Sequence, residues 1–124
     1  MKILGIDFGT KRIGLAWTDT TLGMVLPLGI AKNMTELITI IEEEKVDQVV
    51  IGFPMSLAGT ENKNTERVQN AAFEIQKATG LTVEFFDERF SSQAADAMGG
   101  GVSRDEKSAM IILEGYLQAQ QRNT

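Results

Sequence analysis

The sequence predicts an α/β protein built on a five-stranded mixed sheet flanked by helices. Two observations indicate this class. Three apolar segments joined by short connections open the chain, which predicts three antiparallel strands in a meander. After residue 33, helical and strand-like segments alternate, which predicts two parallel strands joined by crossover helices. The 124 residues are 43% hydrophobic and contain no internal repeat or linker, so we expect a single domain over residues 1–124.

The three opening segments have different strand patterns. Residues 2–7 are an almost unbroken apolar run, typical of a central buried strand. Residues 12–18 alternate, with large apolar side chains on one face and small or polar ones on the other. Residues 24–30 contain Pro27, which favours the edge of a sheet because proline cannot donate to a strand ladder.

In the rest of the chain the spacing of apolar residues changes. Asn33 and Glu36 resemble a capping box, and Ser103 with Glu106 forms a second one, so both pairs predict helix starts. The predicted elements are a helix at 34–44, a strand at 47–52, a loop at 54–64, a helix at 65–79 ended by Gly80, a strand at 81–86, a helical turn at 91–98 and a helix at 104–120. The order β-β-β-α-β-α-β-α with the first strand central describes the ribonuclease-H-like arrangement.

Composition excludes several kinds of chemistry. The chain has no cysteine and no histidine, which removes thiolate sites, histidine bases and serine–histidine pairs. Its net charge of −5 disfavours a protein that coats nucleic acid by bulk electrostatics, although a local basic patch remains compatible. No segment reaches the length of a membrane span and no signal peptide is recognisable, so we expect a cytoplasmic protein with no membrane partner.

Three carboxylates are expected to meet at one edge of the sheet. Asp7 ends the first strand, Glu88 follows the fifth, and Asp105 lies in the first turn of the last helix. The spacing from Asp105 to Ala109 and Ile112 places it on the face turned toward the sheet. Ligands bind outside the carboxyl ends of parallel strands, and carboxylate oxygens suit hard divalent cations. We therefore predict a Mg²⁺ or Mn²⁺ site, in which two ions would support phosphodiester hydrolysis.

Each carboxylate also has a structural explanation. Asp7 is compatible with a turn former, and Glu88 with a surface ion pair to Arg89. Asp105 is compatible with a residue that only complements the helix dipole. Their joint placement favours the metal site.

Two loops provide candidate phosphate contacts. Gly9 allows close approach of backbone to a ligand, and Lys11 and Arg12 follow it. The loop after the fourth strand leaves the same sheet edge, and from this part of the chain Ser56, Lys63 and Arg67 are candidates to line a nucleic-acid path. A solvated loop rich in glycine and proline explains the second pattern equally well.

Four stretches resemble the YqgF family, in the order that the family has them. They are Ile-Asp7-Phe-Gly9-Thr10-Lys11-Arg12-Ile-Gly14, Gly52-Phe-Pro54-Met-Ser-Leu-Ala-Gly59, Asp87-Glu88-Arg89-Phe-Ser91-Ser, and the segment from Asp105 through Tyr116 to Leu117. The resemblance implies a metal-dependent phosphodiesterase of ribonuclease-H-like fold, acting on the precursor of small-subunit ribosomal RNA or on Holliday junctions. It also implies a triad of Asp7, Glu88 and Asp105, with Thr10 in the first motif and with Lys11, Arg12 and Arg89 contacting phosphates or orienting carboxylates.

One segment departs from the family pattern. Residues 95–104 are short and rich in glycine, where family members usually have a longer and often basic stretch. This difference leaves open how strongly the protein binds nucleic acid. It also leaves open whether Asp105 is the third metal ligand, since Asp96 is a nearby alternative ligand.

Two other functional classes remain open at this level. Gly-Ile-Asp7-Phe-Gly-Thr also resembles the first phosphate loop of actin-like kinases, but that class needs two lobes and a second Asp-Gly-Gly loop. The other is a catalytically weak module that binds structured RNA or protein. The sequence leaves open whether structured RNA or branched DNA is the substrate, and whether the protein is a monomer or a weak homodimer.

Overall fold

A computed structural model describes residues 1–8, 12–53, 63–87 and 103–122. The elements are β1 (Lys2–Phe8), β2 (Ile13–Asp19), β3 (Leu26–Ala31), α1 (Met34–Glu43), β4 (Gln48–Phe53), α2 (Lys63–Thr79), β5 (Thr82–Asp87) and α3 (Arg104–Arg122). The eight principal predicted elements are confirmed in type and order, and their ends fall within about two residues of the predicted ones, the usual scatter of element boundaries. The predicted turn at 91–98 lies outside the described residues.

The sheet confirms the predicted topology. Its strand order is β3-β2-β1-β4-β5, so the first strand is central. β1 pairs antiparallel with β2 and parallel with β4, β2 pairs antiparallel with β3, and β4 pairs parallel with β5. Among the described strands β3 is an edge, which is where Pro27 can be accommodated without breaking an internal ladder.

Alternate residues of β1 face two different apolar layers. Leu4 and Ile6 are fully buried in the larger cluster, which α1 and α2 cover. Ile3 belongs to the cluster formed with α3, and Gly5 lies so close to α3 that a Cβ would stand 3.0 Å from the Cβ of Leu113. Since side chains alternate along a strand, Asp7 shares the α3 face with Ile3 and Gly5. Burying each large aliphatic side chain contributes about 1.5–3 kcal/mol, so both layers hold the central strand.

The helix ends of the structure have the capping residues that the sequence predicts. The Asn33 side chain accepts a 2.8 Å hydrogen bond from the Glu36 backbone N–H, which caps α1. Gly80 follows α2 with a φ of 72°, a left-handed conformation that glycine adopts without strain. No helix in the described ranges combines the length and apolar character needed to cross a membrane.

A buried polar network joins α3 to the sheet. The Gln48 Nε2 group donates a 2.8 Å hydrogen bond to the Tyr116 hydroxyl, and both residues are 8% exposed. The hydroxyl also hydrogen-bonds with the Glu84 side chain. Burial first, and then Glu84, raises the pKa of Tyr116, while the bond from Gln48 acts in the opposite direction.

We expect Tyr116→Phe to lower the free energy of unfolding by about 1–3 kcal/mol, because the buried Gln48 amide loses its acceptor. Stability from the raised pKa of Tyr116 is complete below the unfolded value of 10.0 and is lost as pH rises through the higher folded value. Denaturant unfolding at several pH values should therefore show a steeper alkaline loss in the wild type than in Tyr116→Phe. A Gln48→Met/Tyr116→Phe double variant should recover part of the loss, and additive losses would contradict the pairing.

Candidate metal-binding active site

Asp7 lies at the end of the central strand, beside the carboxyl ends of the parallel strands. Ile6 pairs with Ile51 of β4, and Ile51 pairs in turn with Phe85 of β5. Asp7 is one residue further along β1 and is half-buried. In open α/β sheets this edge is where ligands bind.

Gly14 connects Asp7 to the last helix. It is the direct partner of Asp7 in the antiparallel β1–β2 ladder. A Cβ at Gly14 would overlap the backbone carbonyl of Asp105 and would stand 3.0 Å from the Asp105 Cβ. Residues directly opposite in an antiparallel pair present their side chains on the same face, so Asp7 faces the surface that Asp105 covers. The geometry thus places Asp105 against the strand partner of Asp7, on the face of the sheet that Asp7 shares.

The start of α3 is held independently of any ligand. The Glu106 N–H donates to the Ser103 Oγ at 3.2 Å, and the Ser103 hydroxyl donates to Glu106 Oε1 at 2.9 Å. These bonds confirm the predicted capping box and engage Glu106, the acidic neighbour of Asp105. Further along the helix, Ala109 and Ile112 are buried against the sheet. Asp105 itself is half-buried, on the face that its spacing predicted.

Other predicted site residues lie outside the described ranges. The group comprises Gly9, Thr10, Lys11, Ser56, Glu88 and Arg89, together with the alternative ligand Asp96. β5 ends at Asp87, so the described chain stops one residue before Glu88. Among the described residues, no three carboxylate-bearing or other ligating residues form a metal cluster. Lys63 is the first residue of α2, and its side chain is not described.

Two predicted cations meet on the opposite face of the sheet. Arg12 and Arg67 line one groove of about 450 Å³ near the end of β1. Both side chains are exposed. Lys32 lines the same groove and was not among the sequence candidates. In the sequence, Lys32 is marked only by its position immediately before the Asn33 cap. A positive charge beside a helix start does not by itself indicate a binding site, because its neighbours are decided by the tertiary structure.

Comparison with solved structures identifies the class of fold. RuvC of Thermus thermophilus, solved in complex with a Holliday junction substrate, superposes with a TM-score of 0.71 over 98% of this chain and 96% of that one, at 12% sequence identity. A second structure of the same protein gives a TM-score of 0.70. The molecule therefore has the ribonuclease-H-like fold of RuvC, as predicted.

Comparison with protein families identifies the family. The profile of the RuvX family, described as Holliday junction resolvase, matches residues 1–119. The chain belongs to this family, which confirms the YqgF resemblance and disfavours the actin-like alternative.

Two bacterial relatives carry the curated name "Putative pre-16S rRNA nuclease". The protein from Maridesulfovibrio salexigens is 39% identical, and the match covers 94% of this chain and 98% of the relative. The protein from Carboxydothermus hydrogenoformans is 35% identical over 99% of this chain and 100% of the relative.

Proposed function

We propose that this chain is a metal-dependent nuclease that processes the 5′ end of pre-16S ribosomal RNA in the cytoplasm. The observation that carries the proposal is the contact of Asp105 with Gly14, the strand partner of Asp7. This contact supports a site in which Asp7 and Asp105 lie at the sheet edge used by ligands in open α/β folds. The family match and the names of the relatives support phosphodiester hydrolysis and ribosomal RNA as the substrate.

Asp7, Glu88 and Asp105 would hold Mg²⁺ or Mn²⁺ in this proposal. The donor set fits, because the carboxylates offer hard oxygen ligands and the chain has neither histidine nor cysteine to favour softer metals. A pair of bound ions would stabilise charge on the attacking and leaving oxygens of the phosphodiester. Asp7 would be the central ligand; its place on the middle strand and the contact of its partner Gly14 with the helix that carries Asp105 support this role.

The chain's own cations would position the substrate. Lys11 and Arg89 would contact phosphates near the carboxylates, Arg12 would contact phosphates on the opposite face of the sheet, and the backbone at Gly9 and Thr10 would approach the nucleic acid closely. Ser56, Lys63 and Arg67 would extend this path. A single domain acting as a monomer suffices for trimming an RNA end, whereas cleavage of two strands of a junction favours a symmetric dimer.

A second candidate is a Holliday junction resolvase-like DNA endonuclease, which the description of the matched family favours. The two candidates can be separated with end-labelled substrates. A ribosomal RNA precursor leader and a synthetic four-way DNA junction are incubated with the protein in Mg²⁺, in Mn²⁺ and in EDTA. We expect a metal-dependent product from the RNA and none from the junction. Cleavage of the junction alone would favour the resolvase, and folded protein inert on both would favour a binding module.

Two neighbouring acids in α3 provide a matched test of the metal site. We expect Asp105→Asn to reduce the cleavage rate by about 10²-fold, comparable to the loss of one charge-stabilising group in other active sites. Glu106→Gln should keep nearly the full rate, because Glu106 bonds to Ser103 and its amide replacement can still accept those bonds. Single-turnover rates with excess enzyme measure both variants. Equal losses would mean that the helix start, rather than the Asp105 carboxylate, matters.

A further inference from the structure

We infer that the groove lined by Arg12, Lys32 and Arg67 binds an unpaired segment of the RNA strand that extends beyond the cleavage site. The inference rests on the proposed nuclease function, and it adds a binding surface on the face of the sheet opposite Asp7. The segment would occupy the groove as a single strand, with its phosphates toward the three cations.

The groove is next to the proposed metal site along β1. Phe8 lines it, and Phe8 follows Asp7 directly in β1. Adjacent Cα atoms are about 3.8 Å apart, and successive strand side chains point to opposite faces. An RNA strand that leaves Asp7 over this end of the sheet is therefore expected to reach the groove.

The charge of the groove contrasts with that of the chain. Among the described residues, its charged lining consists of the cations Arg12, Lys32 and Arg67 and the carboxylates Glu66 and Glu74, so this part of the lining is net positive, while the whole chain carries −5. The three cations come from three different parts of the fold: the start of β2, the β3–α1 connection and α2. A polyanion attracted to this acidic protein would find favourable potential in this groove.

The shape and floor of the groove favour a single strand. Phe8, Ile13 and Ala71 form an apolar floor, each 5–7% exposed. A volume of about 450 Å³ is within the range of pockets that hold small organic ligands. This volume is large enough for an unstacked nucleotide. Single-stranded nucleic acid is commonly bound by such a positively charged groove with apolar surface for the bases.

Binding of fluorescent RNA in EDTA tests the inference without cleavage. One probe is a duplex with single-stranded extensions at both ends, and the other is the blunt duplex of the same core. We expect Lys32→Gln and Arg67→Gln each to weaken binding of the extended probe by about 3- to 10-fold, and the salt dependence of log K to fall by about 0.7 per lost phosphate contact. Binding of the blunt probe should change less than twofold.

Lys77→Gln is the matched control. Lys77 is an exposed cation on α2, about 15 Å along the helix from Arg67, and it does not line the groove. The Lys77→Gln variant should bind both probes with wild-type affinity. Three results would overturn the inference. Binding affinity could fall equally in Lys77→Gln and Lys32→Gln, it could fall equally for the two probes, or it could stay unchanged in both groove variants. Displacement of the extended probe by a free nucleoside monophosphate at similar concentration would also overturn it, since the groove would then be a mononucleotide site.

The outcome is separable from that of the proposed function. If the protein binds extended RNA through the groove but cleaves nothing, the groove inference is supported and the nuclease proposal is contradicted. If cleavage requires metal and Asp7 but the groove variants bind RNA like the wild type, the nuclease proposal is supported and the groove inference is contradicted. Thermal unfolding of each variant checks that the fold is intact.

Discussion

Asp7→Asn is expected to lower the rate of metal-dependent RNA cleavage by at least about 10³-fold. Loss of one charge-stabilising group typically costs about 10²–10³-fold, and Asp7 would serve both ions rather than one. Asparagine has nearly the same size and keeps one carbonyl oxygen, so the strand pairing with Gly14 should persist. The substitution removes the negative charge and one of the two carboxylate oxygens that would hold the cations.

Single-turnover cleavage in Mg²⁺ and in Mn²⁺ measures this effect, with metal affinity followed by calorimetry. Asp19→Asn is the control, because Asp19 is an acid at the opposite end of the β1–β2 ladder, where it pairs with Lys2. Its rate should match that of the wild type. If Asp7→Asn kept the wild-type rate and metal affinity, Asp7 would have a structural role only, and the proposed centre would be wrong.

Gly14→Ala is expected to damage both stability and cleavage. Its methyl group would overlap the Asp105 backbone carbonyl, so β2 or the start of α3 must move. Overpacking of this kind costs about 1–3 kcal/mol of unfolding free energy. Because backbone rather than a flexible side chain is displaced, we expect a loss near the upper end of that range. The movement also separates Asp105 from Asp7, and misplacement by about 1 Å can reduce a rate by about 10²-fold.

Gly5→Ala separates the two effects of Gly14→Ala. Gly5 lies under the same helix, and a Cβ there would stand 3.0 Å from the Leu113 Cβ and 3.1 Å from the Ala109 carbonyl oxygen, away from the carboxylates. Denaturant unfolding should show a loss in both variants. Cleavage at a temperature where both are folded should fall only in Gly14→Ala. A similar fall in both would indicate that general loosening of α3, and not the position of Asp105, controls activity.

The groove and the proposed metal site together explain how an acidic protein would act on RNA. Binding would not rely on net charge, which is −5, but on cations gathered at one sheet edge. From the sequence, the segment at 95–104 was predicted to be shorter than the usual pattern of the family. If that segment contributes fewer contacts, the groove on the other face gains importance as a source of substrate affinity.

Much of the fold could be predicted from local patterns. The alternation in β2, the apolar run of β1 and the capping pairs at Asn33 and Ser103 are short-range signals, and each produced the expected element. Topology followed as well, because short connections force antiparallel neighbours and crossover helices force parallel ones. The positions of Asp7 in a strand and of Asp105 in the first turn of a helix could be predicted for the same reason, while Glu88 lies outside the described residues.

Tertiary packing decided the contacts between distant parts of the chain. Nothing local in the sequence indicates that Gly14 must lack a side chain, since this follows only from the passage of α3 across β2. Likewise, Lys32 joins Arg67 because α1 and α2 pack on the same face of the sheet. Period and capping depend on interactions within a few residues, whereas helix positions depend on side-chain packing over the whole core. The sequence therefore predicts the strands, helices and candidate ligands, and the folded chain decides which of them meet.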